Sequence, residues 1–199
     1  MNGSVEDPVG TLDVALHHAV KLLETSPAQA IEQAEEVLKA APRHPLAVLV
    51  QGVAHRQLGD LDRALALLRN LADEQPGWAP AQYELGVTLG QAGQGEDAVA
   101  ALYRAVHLKP DIGDAWRLLA DHLNAMGDHA AADAAYANHI KASTRDPRLL
   151  APAIALCENR IAVAETLLRE HLKKSPTDVA AIRMFAEVAA RLGLLVDAE

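Results

Sequence analysis

The chain has 199 residues, of which 50% are hydrophobic and 3% aromatic, and its formal net charge is −9. An aromatic-poor, alanine-rich composition favours closely packed helices over a β-sandwich, because strands are enriched in aromatic and β-branched residues. Nucleic acid is not expected as a partner, because a phosphate-binding surface needs clustered Lys and Arg and this acidic chain has no such cluster.

The N-terminal segment carries no targeting pattern. It reads MNGSVEDP, which is polar and acidic and lacks the basic and apolar stretches of a secretory signal. No apolar run approaches the roughly 20 residues that cross a bilayer. The single cysteine, Cys157, has no partner for an internal disulfide, which fits a reducing compartment. We therefore predict a flexible segment over residues 1–10, a cytoplasmic location and no membrane insertion.

Small residues and prolines then recur at a spacing of 34 in three series. The series are Gly59, Gly93 and Gly127; Ala64, Ala98 and Ala132; and Pro42, Pro76 and Pro110. Spacing and residue types resemble the tetratricopeptide repeat (TPR), a pair of antiparallel helices. The resemblance implies an all-α fold, a TPR solenoid with a right-handed superhelix. Its five full units and one partial unit cover residues 11–44, 45–78, 79–112, 113–146, 147–178 and 179–199.

Each recurring position has a physical interpretation within a helix pair. Gly52 and Gly86 allow the first helix to approach the second closely, and the alanine series fills the tightest contact. The later glycine series ends the first helix in the left-handed conformation, which glycine adopts at little cost. The prolines end the second helix. In the first unit, Ser26-Pro27-Ala28-Gln29 resembles a capping box that starts the second helix.

The fifth unit is the least regular. Its alanine, Ala164, follows Ala132 by 32 residues rather than 34, and Asn159 stands where glycine is expected. Asn tolerates left-handed backbone better than most residues do. Pro147 and Pro152 predict a first helix that is short or starts late.

The last unit contains Gly193 and Ala198 at the repeat positions, but the chain ends at Glu199 within the expected second helix. A terminal helix without its partner leaves an apolar face uncovered. We therefore expect a fragment of a longer protein, or a missing half that lies in a further domain. The uncovered helix is also a candidate surface for self-association.

A narrower resemblance covers the segment after Thr144. The Cys157-Glu158-Asn159-Arg160 turn, the LKKSPTDV junction at 172–179 and the Arg191-Leu192-Gly193 turn are similar to the N-terminal repeat region of bacterial TPR-containing sulfotransferases. That resemblance implies a following domain that transfers sulfate from phosphoadenosine phosphosulfate. No catalytic residue of that domain lies in this chain.

No motif predicts catalysis or a cofactor. The glycine-rich stretch at Gly90, Gly93 and Gly95 follows a helix, whereas a phosphate-binding loop follows a strand. The strongest metal candidate is the pair His122 and His129 with three neighbouring aspartates, but its spacing matches no known ligand pattern. We expect no catalytic, cofactor or metal site, and interpret Cys157 as a packing residue.

The predicted binding surface is the concave face formed by the first helices. In the second and third units it contains Leu46, Leu49, Val53, Arg56, Tyr83 and Val87. In the later units it contains Asp114, Arg117, Asp121, Asn124, Arg183 and Glu187. This pattern predicts a groove that is apolar toward the N-terminus and polar beyond it, suited to a protein or peptide. Arg117/Asp121 and Arg183/Glu187 are also (i, i+4) pairs, which a merely solvated face would explain equally well.

Three functions remain open from the sequence. The first is a noncatalytic protein-interaction scaffold that belongs to a larger sulfotransferase. The second is a free-standing adaptor of a multiprotein assembly, such as a secretion or envelope complex. The third is an enzyme in its own right, which we disfavour. Binding of the acidic C-termini of heat-shock chaperones is also disfavoured. TPR domains that bind them resemble one another in a set of Lys, Asn and Arg on this face, whereas the matching positions here hold Ala15, Ala19, Leu49 and Val53.

Overall fold

The computed structural model describes residues 8–144 and 146–192. Every regular element within these ranges is an α-helix, and the eleven helices form five sequential pairs followed by a further helix. The helices form two compact units, the first ending at Leu108 and the second beginning at Lys109. The prediction of an all-α fold built from helix pairs is confirmed.

The first unit contains three helix pairs. They are α1 (Pro8–Thr25) and α2 (Pro27–Ala40), α3 (Pro45–Gln57) and α4 (Leu61–Glu74), and α5 (Ala79–Gln91) and α6 (Gly95–Leu108). Each helix packs against the next along the chain, and α3 also contacts α1 and α5. The helical array thus begins at Pro8, before the predicted boundary at residue 11.

The second unit contains two pairs and a further helix. They are α7 (Gly113–Ala125) and α8 (His129–Ser143), α9 (Pro147–Cys157) and α10 (Ile161–Lys174), and α11 (Val179–Arg191). Sequential neighbours pack together from α7 to α11, and α9 also contacts α11. The predicted positions Gly193 and Ala198 of the last unit lie outside the described residues.

The turns within the pairs use left-handed backbone at the predicted glycines. The φ angles are 83° at Gly59, 74° at Gly93 and 84° at Gly127. A Cβ at any of the three would meet no atom within 4 Å, so the backbone conformation rather than space selects glycine here. Asn159 has φ 54°, which confirms that it replaces glycine in the fifth unit.

The earlier glycines are selected by space instead. A Cβ on Gly52 would lie 2.6 Å from Cγ of Leu68, and a Cβ on Gly86 would lie 2.7 Å from Cγ of Leu102. Both leucines are fully buried. The predicted close approach of the two helices in a pair is therefore confirmed.

The irregular fifth unit begins with a short helix, as its prolines predicted. Helix α9 has 11 residues, whereas α3, α5 and α7 each have 13. Pro147 occupies its first turn, where a missing N–H costs nothing, and Pro152 lies buried inside the helix.

One capping prediction is wrong. Helix α2 begins at Pro27 as expected, but the Ser26 side chain forms no capping hydrogen bond. Aspartates cap other helices instead, with Asp60, Asp128, Asp146 and Asp178 each accepting from a backbone N–H of the following turn. A carboxylate at this position also interacts favourably with the helix dipole.

Among the described helices, none is long and apolar enough to cross a membrane.

Candidate functional site

A cavity of about 490 Å³ lies within the second unit. Most of its lining comes from helices α8 and α11, and Thr144, Asp146 and Leu149 complete it. Its lining residues are Tyr136, His139, Ile140, Ser143, Thr144, Asp146, Leu149, Ala180, Arg183, Met184 and Glu187. The volume falls within the range typical of ligand pockets.

The floor of the cavity is apolar. Leu149 and Met184 are buried members of the hydrophobic core of this unit, and Ile140 packs against the same cluster. These side chains therefore already have a fixed position before any partner arrives. An apolar group that enters the cavity would extend an existing core rather than create a new one.

Two of the charges around the cavity are paired within the chain. Asp146 forms an ion pair of 2.6 Å with Arg148, and also accepts from the backbone N–H of Arg148 at the start of α9. These hydrogen bonds lower the pKa of Asp146 to about 2. Glu187 forms an ion pair of 2.8 Å with Arg191, one turn further along α11.

Arg183 differs from these two carboxylates. It lines the cavity, is exposed and forms no ion pair with any residue in the described part of the chain. The sequence had suggested an (i, i+4) pair between Arg183 and Glu187. That interpretation is wrong, because Glu187 pairs with Arg191 in the opposite direction along the helix.

Glu187 pairs with Arg191 rather than Arg183 because of the position of Arg191, a residue that the sequence did not indicate as part of the site. Its guanidinium donates to the backbone carbonyls of Leu156 at 3.2 Å and Asp133 at 2.7 Å. Its side chain is only 10% exposed. Arg191 thereby ties α11 to α9 and α8, which together enclose the cavity. The RLG turn in the sequence gave no hint of these carbonyl contacts, because they depend on tertiary structure.

The predicted face residues of α7 reach the cavity through Tyr136. The Tyr136 hydroxyl donates to Asp121 at 2.6 Å, and Arg117 forms an ion pair with the same carboxylate at 3.1 Å. The hydrogen bond to Asp121 raises the pKa of Tyr136 to about 12. The ion pair between Arg117 and Asp121 confirms the (i, i+4) interpretation of these two residues.

The remaining predicted residues of α7 lie elsewhere. Asp114 lies 3.9 Å from Arg117, and Asn124 accepts a hydrogen bond from His129 at 2.8 Å. Neither residue lines the cavity. Thus only Arg183 and Glu187 of the predicted set line it directly, and Arg117 and Asp121 support one of its walls.

The histidines serve local hydrogen bonds. His139 Nδ1 donates to the carbonyl of Gly113 at 2.8 Å, and His171 Nε2 donates to the carboxylate of Asp178 at 2.8 Å. The candidate metal pair His122 and His129 gains no support. No group of three or more His, Cys, Asp or Glu side chains in residues 8–144 and 146–192 is arranged to hold a metal ion.

In the first unit the predicted face residues take part in packing. Leu46 and Leu49 pack against core clusters, and Val53 is itself buried. Tyr83 and Val87 on α5 are half-buried. These five residues offer limited surface to a partner.

Arg56 of the same predicted face forms an ion pair of 2.7 Å with Glu84, a residue that the sequence analysis did not select. Burial raises the pKa of Glu84, and the Arg56 guanidinium opposes that rise. This pair joins α3 to α5. A separate cavity of about 420 Å³ in this unit is lined by residues of α1 and α2, none of them predicted.

Comparison with known proteins identifies the repeat. A family model described as tetratricopeptide repeat matches residues 25–77 and 83–147, more than half of the chain. The solved structure of MamA AMB-1 is 28% identical over 64% of this chain and 70% of that chain, with a TM-score of 0.52. No curated protein sequence matches the chain.

Two other solved structures extend the likeness. MamA MSR-1 is 26% identical over 66% of this chain and 76% of that chain, with a TM-score of 0.53. A thermophilic TPR protein from Thermus thermophilus is 19% identical over 90% of this chain and 99% of that chain, with a TM-score of 0.59. The last comparison shows the fold alone. None of these matches supports the resemblance to sulfotransferases.

Proposed function

The chain belongs to the tetratricopeptide repeat family, and we propose that it binds a peptide segment of a partner protein in the cavity between α8, α9 and α11. Members of this family are protein-interaction scaffolds rather than enzymes. The proposal adds a place on this scaffold and a mode of binding: one anchoring side chain enters the cavity, and the flanking peptide lies along the helices.

The cavity itself is the observation that carries this proposal. It combines an apolar floor at Leu149 and Met184 with a charged edge at Arg183. Binding sites for peptides commonly combine a buried anchor with polar groups that set orientation. The walls are held in place by the Arg191 and Tyr136 hydrogen bonds, so little ordering is needed on binding.

The proposal is tested by filling the cavity from an exposed position. Peptides are selected from a library of 12-residue segments displayed between two carrier domains, and their affinities are measured by fluorescence anisotropy. Ala180 is exposed and lines the cavity, so Ala180→Trp should occupy the space without disturbing the core. We expect at least a tenfold loss of affinity, roughly 1.4 kcal/mol or more.

Ala186→Trp is the matched control. Ala186 is exposed on the same helix and does not line the cavity, so this variant should bind within about twofold of the parent chain. Unchanged affinity in Ala180→Trp, or a failure of the library to give any binder, would contradict the proposal.

Self-association is a second candidate, favoured by one feature of α11. Val179 is 67% exposed and Ile182 is 46% exposed on this helix. Apolar side chains grouped in this way can serve as an interface. Sedimentation velocity should then show a concentration-dependent dimer that Ile182→Glu abolishes. A parent chain that stays monomeric at high concentration would refute this candidate.

The larger protein context also remains a proposal. A sulfotransferase origin rests on the sequence resemblance of the fifth and sixth units, and it predicts a following α/β domain encoded beyond Glu199. A stop codon there would favour the free-standing adaptor of a multiprotein assembly instead. A cytoplasmic location fits either alternative.

A further inference from the structure

The charges around the cavity are unbalanced in a way that restricts the partner. Its two carboxylates, Asp146 and Glu187, are already paired with arginines of this chain. Arg183 has no such partner within the described residues. Of the charged side chains that line the cavity, Arg183 is therefore the one without an ion-pair partner among the described residues, and beside the apolar floor it complements an acidic group next to an apolar one.

A free C-terminal carboxylate fits this edge poorly. Such groups are usually held by several convergent donors, often backbone N–H groups at a helix start. At α9 the N–H of Arg148 is already bonded to Asp146 at 2.9 Å. At α11 the N–H groups of Ala180 and Ala181 are bonded to Asp178 at 3.0 and 3.2 Å. A side-chain carboxylate, which needs only one guanidinium, fits better.

A run of acidic residues is disfavoured as well. The chain has a net charge of −9, so a polyacidic partner meets overall repulsion at low salt. Attraction by Arg183 acts only over a short range, because ions screen exposed charges beyond about 8 Å at physiological ionic strength. A single carboxylate gains the local attraction without the accumulated repulsion.

We propose that the occupant of the cavity is an internal partner segment in which an aliphatic side chain enters the floor and one adjacent Asp or Glu pairs with Arg183. This specificity rests on the proposed function. The aliphatic residue contacts Leu149, Met184 and Ile140. The carboxylate lies at the edge, where Arg183 is free to form a bidentate contact.

The test repeats the library selection with a reversed charge. Peptides selected by the parent chain should contain Leu, Ile or Met beside a single Asp or Glu. Selection with Arg183→Glu should keep the aliphatic residue and replace its acidic neighbour by Lys or Arg. Arg104→Glu, an exposed change on α6 of the other unit, controls for net charge and should select the same peptides as the parent.

A capped synthetic peptide then measures the effect. The selected sequence with Glu should bind the parent chain about three- to fivefold more tightly than the same peptide with Gln, the effect of one exposed ion pair. Arg183→Gln should abolish that preference.

Two outcomes would overturn the proposal: the same acidic motif selected by Arg183→Glu, or binding that requires a free C-terminus. Both differ from failure of the proposed function, in which Ala180→Trp leaves the affinity of every selected peptide unchanged.

Discussion

The close approach of Gly52 to Leu68 gives a quantitative prediction for Gly52→Ala. The added Cβ would lie 2.6 Å from Cγ and 2.7 Å from Cδ2 of Leu68. Carbon atoms pack best at about 3.5–4.0 Å, so one of the helices has to shift by about 1 Å. Leu68 is 0% exposed and cannot turn into solvent.

The expected cost combines two opposing effects. Overpacking of a core contact costs about 1–3 kcal/mol, and replacing a helical glycine by alanine returns about 1 kcal/mol of helix propensity. Gly52→Ala should therefore destabilise the first unit by up to about 2 kcal/mol. Gly95→Ala is the matched control, because a Cβ on Gly95 meets no atom within 4 Å and the residue lies at the start of α6. It should be neutral or slightly stabilising.

The assay uses tryptophan fluorescence during urea unfolding. The chain has two tryptophans, and Trp78 packs against the core cluster that contains Leu68. In a Trp116→Phe background, fluorescence then reports on the first unit alone.

A second step isolates the contact itself. Leu68→Ala alone should cost about 2–5 kcal/mol through the cavity it leaves. In that background Gly52→Ala should cost nothing, because its methyl group now has space, and the two substitutions should couple by at least about 0.5 kcal/mol. Equal stability of Gly52→Ala and Gly95→Ala would refute the close contact, as would strict additivity in the cycle.

Three further predictions concern the second unit. Arg191→Met should cost about 2 kcal/mol in urea unfolding, since it removes the hydrogen bonds that Arg191 donates to two backbone carbonyls and to Glu187. A loss below about 0.5 kcal/mol would contradict the tie between α11 and its neighbours. Tyr136 should ionise near pH 12 in an absorbance titration, because its pKa in the folded chain is raised. The stabilising hydrogen bond is fully present below the unfolded pKa near 10 and is lost as the pH rises through about 12. Tyr136→Phe should lack that titration step. Asp178 has a lowered pKa because His171 and the α11 N–H groups stabilise its carboxylate, so its contribution is present above the unfolded value and lost as the pH falls through the folded one. Asp178→Asn should flatten the acid side of the stability profile, and an unchanged slope would argue against that contribution.

Much of the fold could be predicted from local requirements. Gly59 needs left-handed backbone, Gly52 needs space and Ala64 is fully buried, and each requirement depends on a small residue at one repeat position. Such constraints recur with the repeat, so a single sequence displays them several times. Even the irregular turn at Asn159 followed from this reasoning.

The candidate site was harder to predict because it depends on pairings between distant residues. Two arginines on α11 lie one turn to either side of Glu187, and spacing alone cannot choose between them. Arg191 forms the pair because carbonyls of Leu156 and Asp133 fix its guanidinium. The cavity likewise lies between α8 and α11, a second and a first helix, whereas the predicted face considered first helices alone.

Methionine methyl resonances offer the most direct measurement of the binding site. The chain has three methionines. Of these, Met184 lines the cavity, and Met126, 52% exposed at the end of α7, does not. In a ¹³C-methyl-methionine spectrum, titration with a selected peptide should shift the Met184 resonance in step with saturation and leave Met126 in place. Saturable binding that leaves the Met184 resonance unmoved would show that the peptide binds elsewhere.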